Sequence, residues 1–324
     1  MAAGETLKAL CAALAFALRE ELVGELGSHR GRAHVGAQDG RGEGGDVTFA
    51  IDERAEALME RFLAEEAPDV AFYSEDRGMV SPTGAEPGWV LVVDPIDGTR
   101  PALAGFESAC VSVAAAPLVA EPTMGDVEVG CIVEIKSGDG FVAVRDAGLR
   151  PAATLSRNDD PGRMFWTYGL RGRPARETVE VLAELIDGSS VGGATFDLGS
   201  ATYDMTRIAT GQLDAYVEPG PRIVSDVPGM RERFELVGGG SVLNNSPYDL
   251  AAAVLCLREA GAVVTDAHGR SLADRPLLGS GPEFQMSCVA AANGALHAKI
   301  CASIEAGVAR LLAGSEDQRV TTED

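Results

Sequence analysis

The chain has 324 residues, of which 46% are hydrophobic and 23% charged, a composition typical of a soluble globular protein with two domains or one large layered unit. Its 27 Lys and Arg residues against 49 Asp and Glu give a formal net charge of −22. This excess of acid argues against nucleic acid or anionic membranes as partners and fits local binding of cations. No window is long and apolar enough to span a membrane, and the apolar stretch 9–18 lacks a signal-peptide cleavage site. We therefore expect a cytoplasmic protein.

The apolar pattern predicts a helix over 5–26 and a mobile Gly-rich loop over 27–45. A second helix is expected to begin at Asp52, since apolar pairs four residues apart follow it. The remaining predicted strands are 70–73, 89–93, 111–115, 127–134, 140–144, 215–217 and 263–264. The remaining predicted helices are 174–187, 199–211 and 249–260, the last ended by Gly261.

Strands and helices interleave without a strict β-α-β period, which predicts a layered α/β (α+β) fold. We place a boundary near Pro151, with domains 1–150 and 151–324. The cysteines have no Cys-x-x-Cys spacing and mostly stand beside apolar residues, so we expect them to be reduced and buried. The histidines have no metal-ligand spacing and are expected at the surface; they are His29, His34, His268 and His297.

The most informative segment is 89–99, in which an apolar run ends in two carboxylates. The residues Val90 to Val93 predict a strand covered on both faces. Pro95 is expected to end this strand and to direct Asp94 off its end, with Asp97 one turn later. Two anions held so close repel each other unless a cation lies between them, and hard divalent cations prefer such oxygen sites. A turn that caps a helix is the alternative.

Acidic residues recur where other predicted strands end or helices begin, at Asp52, Glu75-Asp76 and Asp249. Each of them has an ordinary explanation on its own. Asp52 and Asp249 are good helix N-caps, and Glu75 and Asp76 are typical surface acids. Their common placement favours a shared cation site.

Five segments, in order along the chain, resemble the motifs of the inositol monophosphatase family, part of the lithium-sensitive, Mg²⁺-dependent phosphatase superfamily that includes fructose-1,6-bisphosphatases. They are 46–56, 74–76, 94–99, 199–218 and 248–266. The resemblance implies a layered α/β/α/β/α sandwich and a Mg²⁺-dependent phosphomonoesterase that uses metal-activated water on a small polyol or sugar phosphate. It also implies two or three Mg²⁺ per site, replaceable by Mn²⁺ and inhibited by Li⁺ and Ca²⁺, and a homodimer.

The same resemblance implies roles for the acidic residues. A first Mg²⁺ would be bound by Glu75, Asp94 and the carbonyl of Ile96. A second would be bound by Asp94, Asp97 and Asp249. Two such ions can hold the attacking and leaving oxygens of a phosphoryl displacement.

Further roles follow from the resemblance for the residues around the metals. Asp52 would orient Thr99, which would position and deprotonate the attacking water, with Glu75 as a further catalytic residue. The backbone N–H groups of Gly98 and Thr99 would hold phosphate oxygens. The residues implied to contact the substrate are Asp97, Ser200, Ala201, Glu218 and Asp249. For Glu218 the alternative is an exposed residue after a strand.

Two departures leave the substrate open. Arg100-Pro101-Ala102 stands where the family usually has an aromatic residue, and Arg100 either reaches a second phosphate or acidic group or is a solvated loop residue. The segment 219–247 is a long Gly-rich insertion, which would be a substrate lid, a dimer contact or a floppy loop. The alternatives are a fructose-1,6-bisphosphatase, a 3′-phosphoadenosine 5′-phosphate or histidinol-phosphate phosphatase, and a metal-binding regulatory protein without physiological turnover.

Overall fold

The computed structural model describes residues 2–26, 38–41, 47–82 and 86–320. The helices in these residues are α1 Ala2–Leu26, α2 Ala50–Glu66, α3 Thr99–Ala104, α4 Ala175–Ser189, α5 Ala201–Ala209, α6 Gly220–Asp226, α7 Met230–Val237, α8 Pro247–Ala260 and α9 Gly294–Val320. The strands are β1 Gln38–Arg41, β2 Val47–Phe49, β3 Ala71–Ser74, β4 Gly78–Val80, β5 Trp89–Asp97, β6 Cys110–Pro117, β7 Val129–Glu134, β8 Gly140–Val144, β9 Gly148–Arg150, β10 Phe165–Tyr168, β11 Ala194–Phe196, β12 Ala215–Glu218, β13 Val263–Thr265 and β14 Cys288–Ala291.

Two large sheets form the framework. The first has seven strands in the order β4-β3-β5-β6-β7-β8-β9, and only its β3/β5 pair is parallel. The second has five strands in the order β11-β10-β12-β14-β13, with parallel pairing of β10 to both β11 and β12. Strands β1 and β2 form a separate antiparallel pair.

Helices cover both faces of each sheet and give the predicted α/β/α/β/α sandwich, which the structure confirms. In β5, Leu91 and Val93 pack with α1 and α2, whereas Val90 and Val92 pack with α5 and α8 on the opposite face. This confirms that the strand is buried on both sides, and it follows from the alternation of side chains along a strand. The outer face of the second sheet is covered by α4 and α9.

The two sheets come from successive parts of the chain, 71–150 and 165–291. Helix α8, although late in the sequence, packs on β5, β6 and β7 of the first sheet. This crossing brings Asp249, in the first turn of α8, to the end of β5. The division into domains 1–150 and 151–324 stays a prediction. Among the described helices, none combines the length and apolar character needed to cross a membrane.

The structure corrects the prediction that β5 stops at Pro95. The strand continues to Asp97, with a register irregularity between Asp94 and Asp97. Proline is accommodated because β3 pairs with β5 only as far as Val93, so β5 has β6 as its one neighbour there and needs no second ladder hydrogen bond.

The loop predicted over 27–45 is wrong for Gln38–Arg41, which form β1. The rest of that prediction, residues 27–37 and 42–45, lies outside the described residues. So do His29 and His34, and Asp46, the first residue of the family-like motif 46–56.

His297 contradicts the prediction that the histidines are exposed. It is buried on α9, and its Nε2 lies 2.8 Å from the Thr265 hydroxyl. The predicted burial of the cysteines is confirmed for five of the six, Cys301 being partly exposed.

The insertion 219–247 is folded, and the floppy-loop alternative is wrong. It forms α6 and α7, which lie against each other. Phe234 of α7 is fully buried in the core beneath the second sheet. Arg222 of α6 donates a 2.7 Å hydrogen bond to the carbonyl of Ala267. These contacts hold both helices of the insertion against the second half of the chain.

Candidate metal centre

Seven of the predicted site residues line one cleft, which is open to solvent. They are Glu75, Asp94, Ile96, Asp97, Gly98, Thr99 and Asp249. The parallel pairing of β3 with β5 explains part of this convergence, since Ser74 pairs with Val93 and the next residues, Glu75 and Asp94, therefore follow side by side at the end of this pairing.

The irregularity in β5 places Asp94 and Asp97 in the same cleft. Residues three apart in a regular strand point to opposite faces of the sheet. Here Asp94 pairs with Ser112 and Asp97 with Cys110, so three steps along β5 correspond to two along β6. The extra residue brings both side chains to one side. The Ile96 N–H donates a 2.9 Å hydrogen bond to Asp94 Oδ1 and holds the turn closed.

Asp94, Asp97 and Asp249 offer carboxylate oxygens that all lie within 4.8 Å of one another. Asp94 is 4% and Asp97 8% exposed, and Asp249 is partly exposed. Anionic oxygens this close, with little water to screen them, match the ligand set that a hard divalent cation requires. The residues present therefore fit a metal ion.

The electrostatics of the centre lead to the same conclusion. Burial, and then the charges of Asp97, Asp249 and Glu75, raise the pKa of Asp94 well above its ordinary value. Burial raises the pKa of Asp97 too, opposed by hydrogen bonds from Thr202 and Ser200 and by the charge of Arg171. Desolvation and the charge of Asp97 raise the pKa of Asp249 to about 8. A cation between them would favour the ionised form of all three carboxylates by compensating their mutual repulsion.

Asp52 and Asp249 occupy equivalent positions in their helices. Each is the third residue of its helix, whereas the alternative explanation predicted that each would be the N-cap residue, which is wrong. Asp52 Oδ2 accepts a 2.8 Å hydrogen bond from the Phe49 N–H, and Asp249 Oδ2 accepts one of 2.6 Å from Ser246. One oxygen thus ties down the helix start, which fixes the direction of the other. The second oxygen of Asp52 lies 3.2 Å from the Thr99 hydroxyl.

Ser200 contacts the centre through Asp97, on the side away from the cleft. Its hydroxyl donates a 2.9 Å hydrogen bond to Asp97 Oδ2, and the Thr202 N–H at the start of α5 donates another of 2.6 Å to the same oxygen. Ser200 and Ala201 are 3% and 8% exposed. Neither is among the described residues that line the cleft.

Glu218 does not reach the cleft either. It is 0% exposed at the end of β12, so the alternative of an exposed residue is wrong. Its carboxylate forms a buried ion pair with Arg173 and accepts a 2.7 Å hydrogen bond from the Gly220 N–H. This carboxylate is therefore held inside the second sheet.

Several cleft residues were not predicted. Arg171 lies in the loop after β10, and Leu243, Asn244 and Ser246 come from the end of the insertion. Gln285 comes from the segment before β14, and its Oε1 accepts a 3.2 Å hydrogen bond from Asn244. No spacing in the sequence connects these residues to the acidic motifs. Only the packing of the second sheet against α5 and α8 brings them to the centre.

A five-layer α/β/α/β/α sandwich with a carboxylate cluster at the end of a central strand defines a phosphatase fold of the inositol monophosphatase type. The chain belongs to the inositol monophosphatase family, whose sequence model matches residues 5–309. This confirms the resemblance seen in the sequence.

Individual relatives agree with this assignment. The chain is 30% identical over 275 residues to a fructose-1,6-bisphosphatase/inositol-1-monophosphatase of Methanothermobacter thermautotrophicus, covering 82% of this chain and 85% of that protein. It is 26% identical over 230 residues to Nus factor SuhB of Vibrio cholerae, covering 69% and 73%. Among solved structures, an IMPase of Thermotoga maritima matches with a TM-score of 0.65 at 19% identity, covering 91% of this chain and 96% of that one, and so shows the fold.

Proposed function

We propose that this protein is a Mg²⁺-dependent phosphomonoesterase that acts on a small polyol or sugar phosphate. The observation that carries the proposal is the cluster of Asp94, Asp97 and Asp249 in one cleft with Glu75 and Thr99. Membership of the inositol monophosphatase family supports phosphatase activity. The named relatives support a phosphorylated small molecule as substrate.

Glu75, Asp94 and the carbonyl of Ile96 would hold one Mg²⁺, and Asp94, Asp97 and Asp249 a second. When bound, two such ions would stabilise the charge on the attacking and leaving oxygens of the phosphoryl transfer. The protein contributes a fixed arrangement of ligands, since Asp97 is held by Ser200 and Thr202 and Asp249 by the Ser246 N–H. Ligands that need no rearrangement favour catalysis by positioning.

The protein's own residues would handle the proton of the attacking water. The Thr99 hydroxyl donates a 3.2 Å hydrogen bond to Asp52 Oδ1, so it could take a proton from the attacking water while passing its own proton to the Asp52 carboxylate. Gly98 and Thr99 begin α3 at the cleft, and their N–H groups would bind phosphate oxygens. Ser200 and Ala201 would act through Asp97 and the packing behind it. We keep Glu218 as a proposed specificity residue that acts through Arg173.

A regulatory role without physiological turnover is the second candidate function. It is favoured by the relatives named Nus factor SuhB, one of them 29% identical over 246 residues in Xylella fastidiosa. The complete set of oxygen ligands in the cleft favours the enzyme. We further propose a cytoplasmic homodimer that is inhibited by Li⁺ and Ca²⁺.

The test is a phosphate-release panel with and without Mg²⁺, covering inositol 1-phosphate, fructose 1,6-bisphosphate, adenosine 3′,5′-bisphosphate, histidinol phosphate and p-nitrophenyl phosphate. We expect release that requires Mg²⁺ and is inhibited by Li⁺. A Mg²⁺ titration of thermal stability provides a readout that does not depend on turnover. Metal binding without release from any ester would contradict the enzyme and favour the regulatory protein.

A further inference from the structure

We infer that Thr202 is a positioning residue for the metal centre: it ties Asp97 to Asp249 and so sets the separation of these two ligands before the second Mg²⁺ binds. The inference rests on the proposed function and names what holds the two ligands in place. Asp97 lies at the end of β5 and Asp249 in the first turn of α8. Thr202, in the first turn of α5, contacts both of them.

The first observation is that Thr202 donates one hydrogen bond to each of the two ligand residues. Its backbone N–H donates a 2.6 Å hydrogen bond to Asp97 Oδ2, and its hydroxyl donates one of 2.9 Å to the backbone carbonyl of Asp249. Thr202 is 0% exposed, so both bonds lie in a medium where water competes little for them. One buried residue therefore links two ligands that come from distant parts of the chain.

The second observation concerns which oxygen of each carboxylate is held. The Ser200 hydroxyl and the Thr202 N–H both donate to Oδ2 of Asp97. The Ser246 N–H donates to Oδ2 of Asp249. Within the described part of the chain, these bonds leave Oδ1 of each carboxylate for a cation. Outer partners of this kind orient the ligands of a metal ion.

The Thr202 hydroxyl supplies a restraint that differs from those of Ser200 and Ser246. The Ser246 N–H orients the Asp249 side chain within α8, and the Ser200 hydroxyl orients Asp97 relative to α5. The hydroxyl of Thr202 instead joins α5 to the backbone of α8 at Asp249 itself. It therefore fixes the position of Asp249 relative to Asp97.

This restraint acts on the second Mg²⁺ rather than the first. The ligands proposed for the first ion are Glu75, Asp94 and the carbonyl of Ile96, and neither of the two hydrogen bonds from Thr202 goes to them. Loss of the hydroxyl should therefore weaken binding of the second ion and leave the affinity for the first unchanged.

A different role for Thr202 is to hold α5 against α8, which pack together, without any influence on the metal ligands. The two roles predict different results. A packing residue would change the unfolding free energy of the metal-free protein and leave both Mg²⁺ affinities as they are. A positioning residue would change the affinity for the second ion selectively.

The experiment is a calorimetric titration of the metal-free full chain with Mg²⁺. Asp249→Asn identifies the binding step of the second ion, because it removes a ligand proposed for that ion alone. In Thr202→Val we expect that step to be about 10-fold weaker and the other step to be unchanged. Val keeps the shape of Thr and the backbone N–H that binds Asp97, and removes only the hydroxyl. Thr202→Ser keeps the hydroxyl and should bind like the wild type.

Two further variants separate the hydroxyl from general effects of substitution. Thr202→Ala should weaken the same step as Thr202→Val, which shows that the added methyl group of Val is not the cause. Thr206→Val is the matched control, since Thr206 is also buried on α5 and its hydroxyl donates a 2.7 Å hydrogen bond to a backbone carbonyl, that of Tyr203. It should leave both Mg²⁺ affinities unchanged. Urea unfolding in EDTA measures the stability of each variant separately from its metal binding.

Turnover provides a second readout. The Mg²⁺ concentration that gives half-maximal release from p-nitrophenyl phosphate should rise about 10-fold in Thr202→Val, with kcat at saturating Mg²⁺ little changed. Unchanged Mg²⁺ binding in Thr202→Val, an equal loss in Thr206→Val, or an equal loss in Thr202→Ser would overturn the inference. Absence of Mg²⁺-dependent release by the wild type would contradict the phosphatase, and the calorimetric titration would still decide the role of Thr202.

Discussion

The hydroxyl of Thr99 lies 3.2 Å from Oδ1 of Asp52, a residue 47 positions earlier in the chain, and so links the start of α3 to the start of α2. The same hydroxyl lies 3.1 Å from the carbonyl oxygen of Ile96. A hydroxyl has one proton, so these two acceptors compete for it. If the Ile96 carbonyl serves as a metal ligand, the proton is directed to Asp52 and the Thr99 lone pairs face the cleft.

Thr99→Val should therefore lower kcat by about 10²- to 10⁴-fold, the range of a lost proton-transfer group. Val keeps the shape of Thr and removes the hydroxyl, and the unfolding free energy should change by only about 1 kcal/mol. Thr99→Ser keeps the hydroxyl and serves as the control, with most of the activity retained. Steady-state kinetics on p-nitrophenyl phosphate provide the measurement. Equal activity of the Val and Ser variants would exclude the hydroxyl from the reaction.

Asp94→Asn should make the metal-free protein more stable while abolishing its response to Mg²⁺. In the wild type, burial and the neighbouring Asp97 and Asp249 disfavour the charge on Asp94, and a neutral amide removes that repulsion. We expect a gain in unfolding free energy on the order of 1 kcal/mol in EDTA near pH 8. At a Mg²⁺ concentration a hundred times the dissociation constant, the unfolding free energy of the wild type should rise by about 2.7 kcal/mol, and that of the variant should hardly change.

Urea unfolding with EDTA and with Mg²⁺ measures both effects of Asp94→Asn. Asp69→Asn is the control, since Asp69 is exposed in the turn after α2. A variant that Mg²⁺ stabilises as much as the wild type would refute Asp94 as a metal ligand.

The sequence predicts the elements around the centre where local patterns are strong. The sequence predicts strand β8 at 140–144, and it forms at Gly140–Val144, because a short apolar run is bounded there by turn residues on both sides. Gly261 ends α8 with a φ of 87°, as expected of glycine after a helix. The acidic residues of the cleft could be predicted because each belongs to a short motif.

What the sequence does not reveal depends on packing between distant segments. The continuation of β5 past Pro95 depends on β3 ending at Ser74, which no local signal at Pro95 indicates. The burial of Glu218 depends on Arg173, which arrives from the loop after β10. The Gly-rich composition of the insertion leaves a substrate lid, a dimer contact and a floppy loop open, whereas burial of Phe234 supplies the stability that its local propensity lacks.

Gly98→Ala should destabilise the protein much more than Gly148→Ala. Both glycines have positive φ, 93° and 82°, so both alanines are strained by about 1 kcal/mol. A Cβ at Gly98 would also lie 2.5 Å from the carbonyl oxygen of Ser108 and 2.8 Å from Cβ of Ser200, whereas nothing lies within 4 Å at Gly148. We expect a loss of about 3 kcal/mol or more at Gly98 in urea unfolding. Equal losses would show that the loop moves freely away from Ser108 and Ser200.

Glu56 provides a test of pH-dependent stability behind the centre. It is 1% exposed on α2, and its Oε2 accepts a 2.9 Å hydrogen bond from the Ser74 hydroxyl, next to Glu75. Its Oε1 has no hydrogen-bond partner among the described residues. Burial, opposed by the Ser74 hydrogen bond, raises the pKa of Glu56 from 4.5 to about 7.

Glu56→Gln should become progressively more stable than the wild type as pH rises from 5 to 8. Because the folded-state pKa is raised, the folded protein retains a proton that the unfolded chain has released; the associated stability is complete below pH 4.5 and lost as pH rises through about 7. Gln mimics the protonated acid, so the two proteins should have similar unfolding free energies at pH 5. At pH 8 the unfolding free energy of the variant should exceed that of the wild type by about 3 kcal/mol at most. Urea unfolding in EDTA measures the difference, with Glu53→Gln on the exposed side of α2 as control. A difference between Glu56→Gln and wild type that stays constant with pH would mean that Glu56 remains ionised in the folded protein.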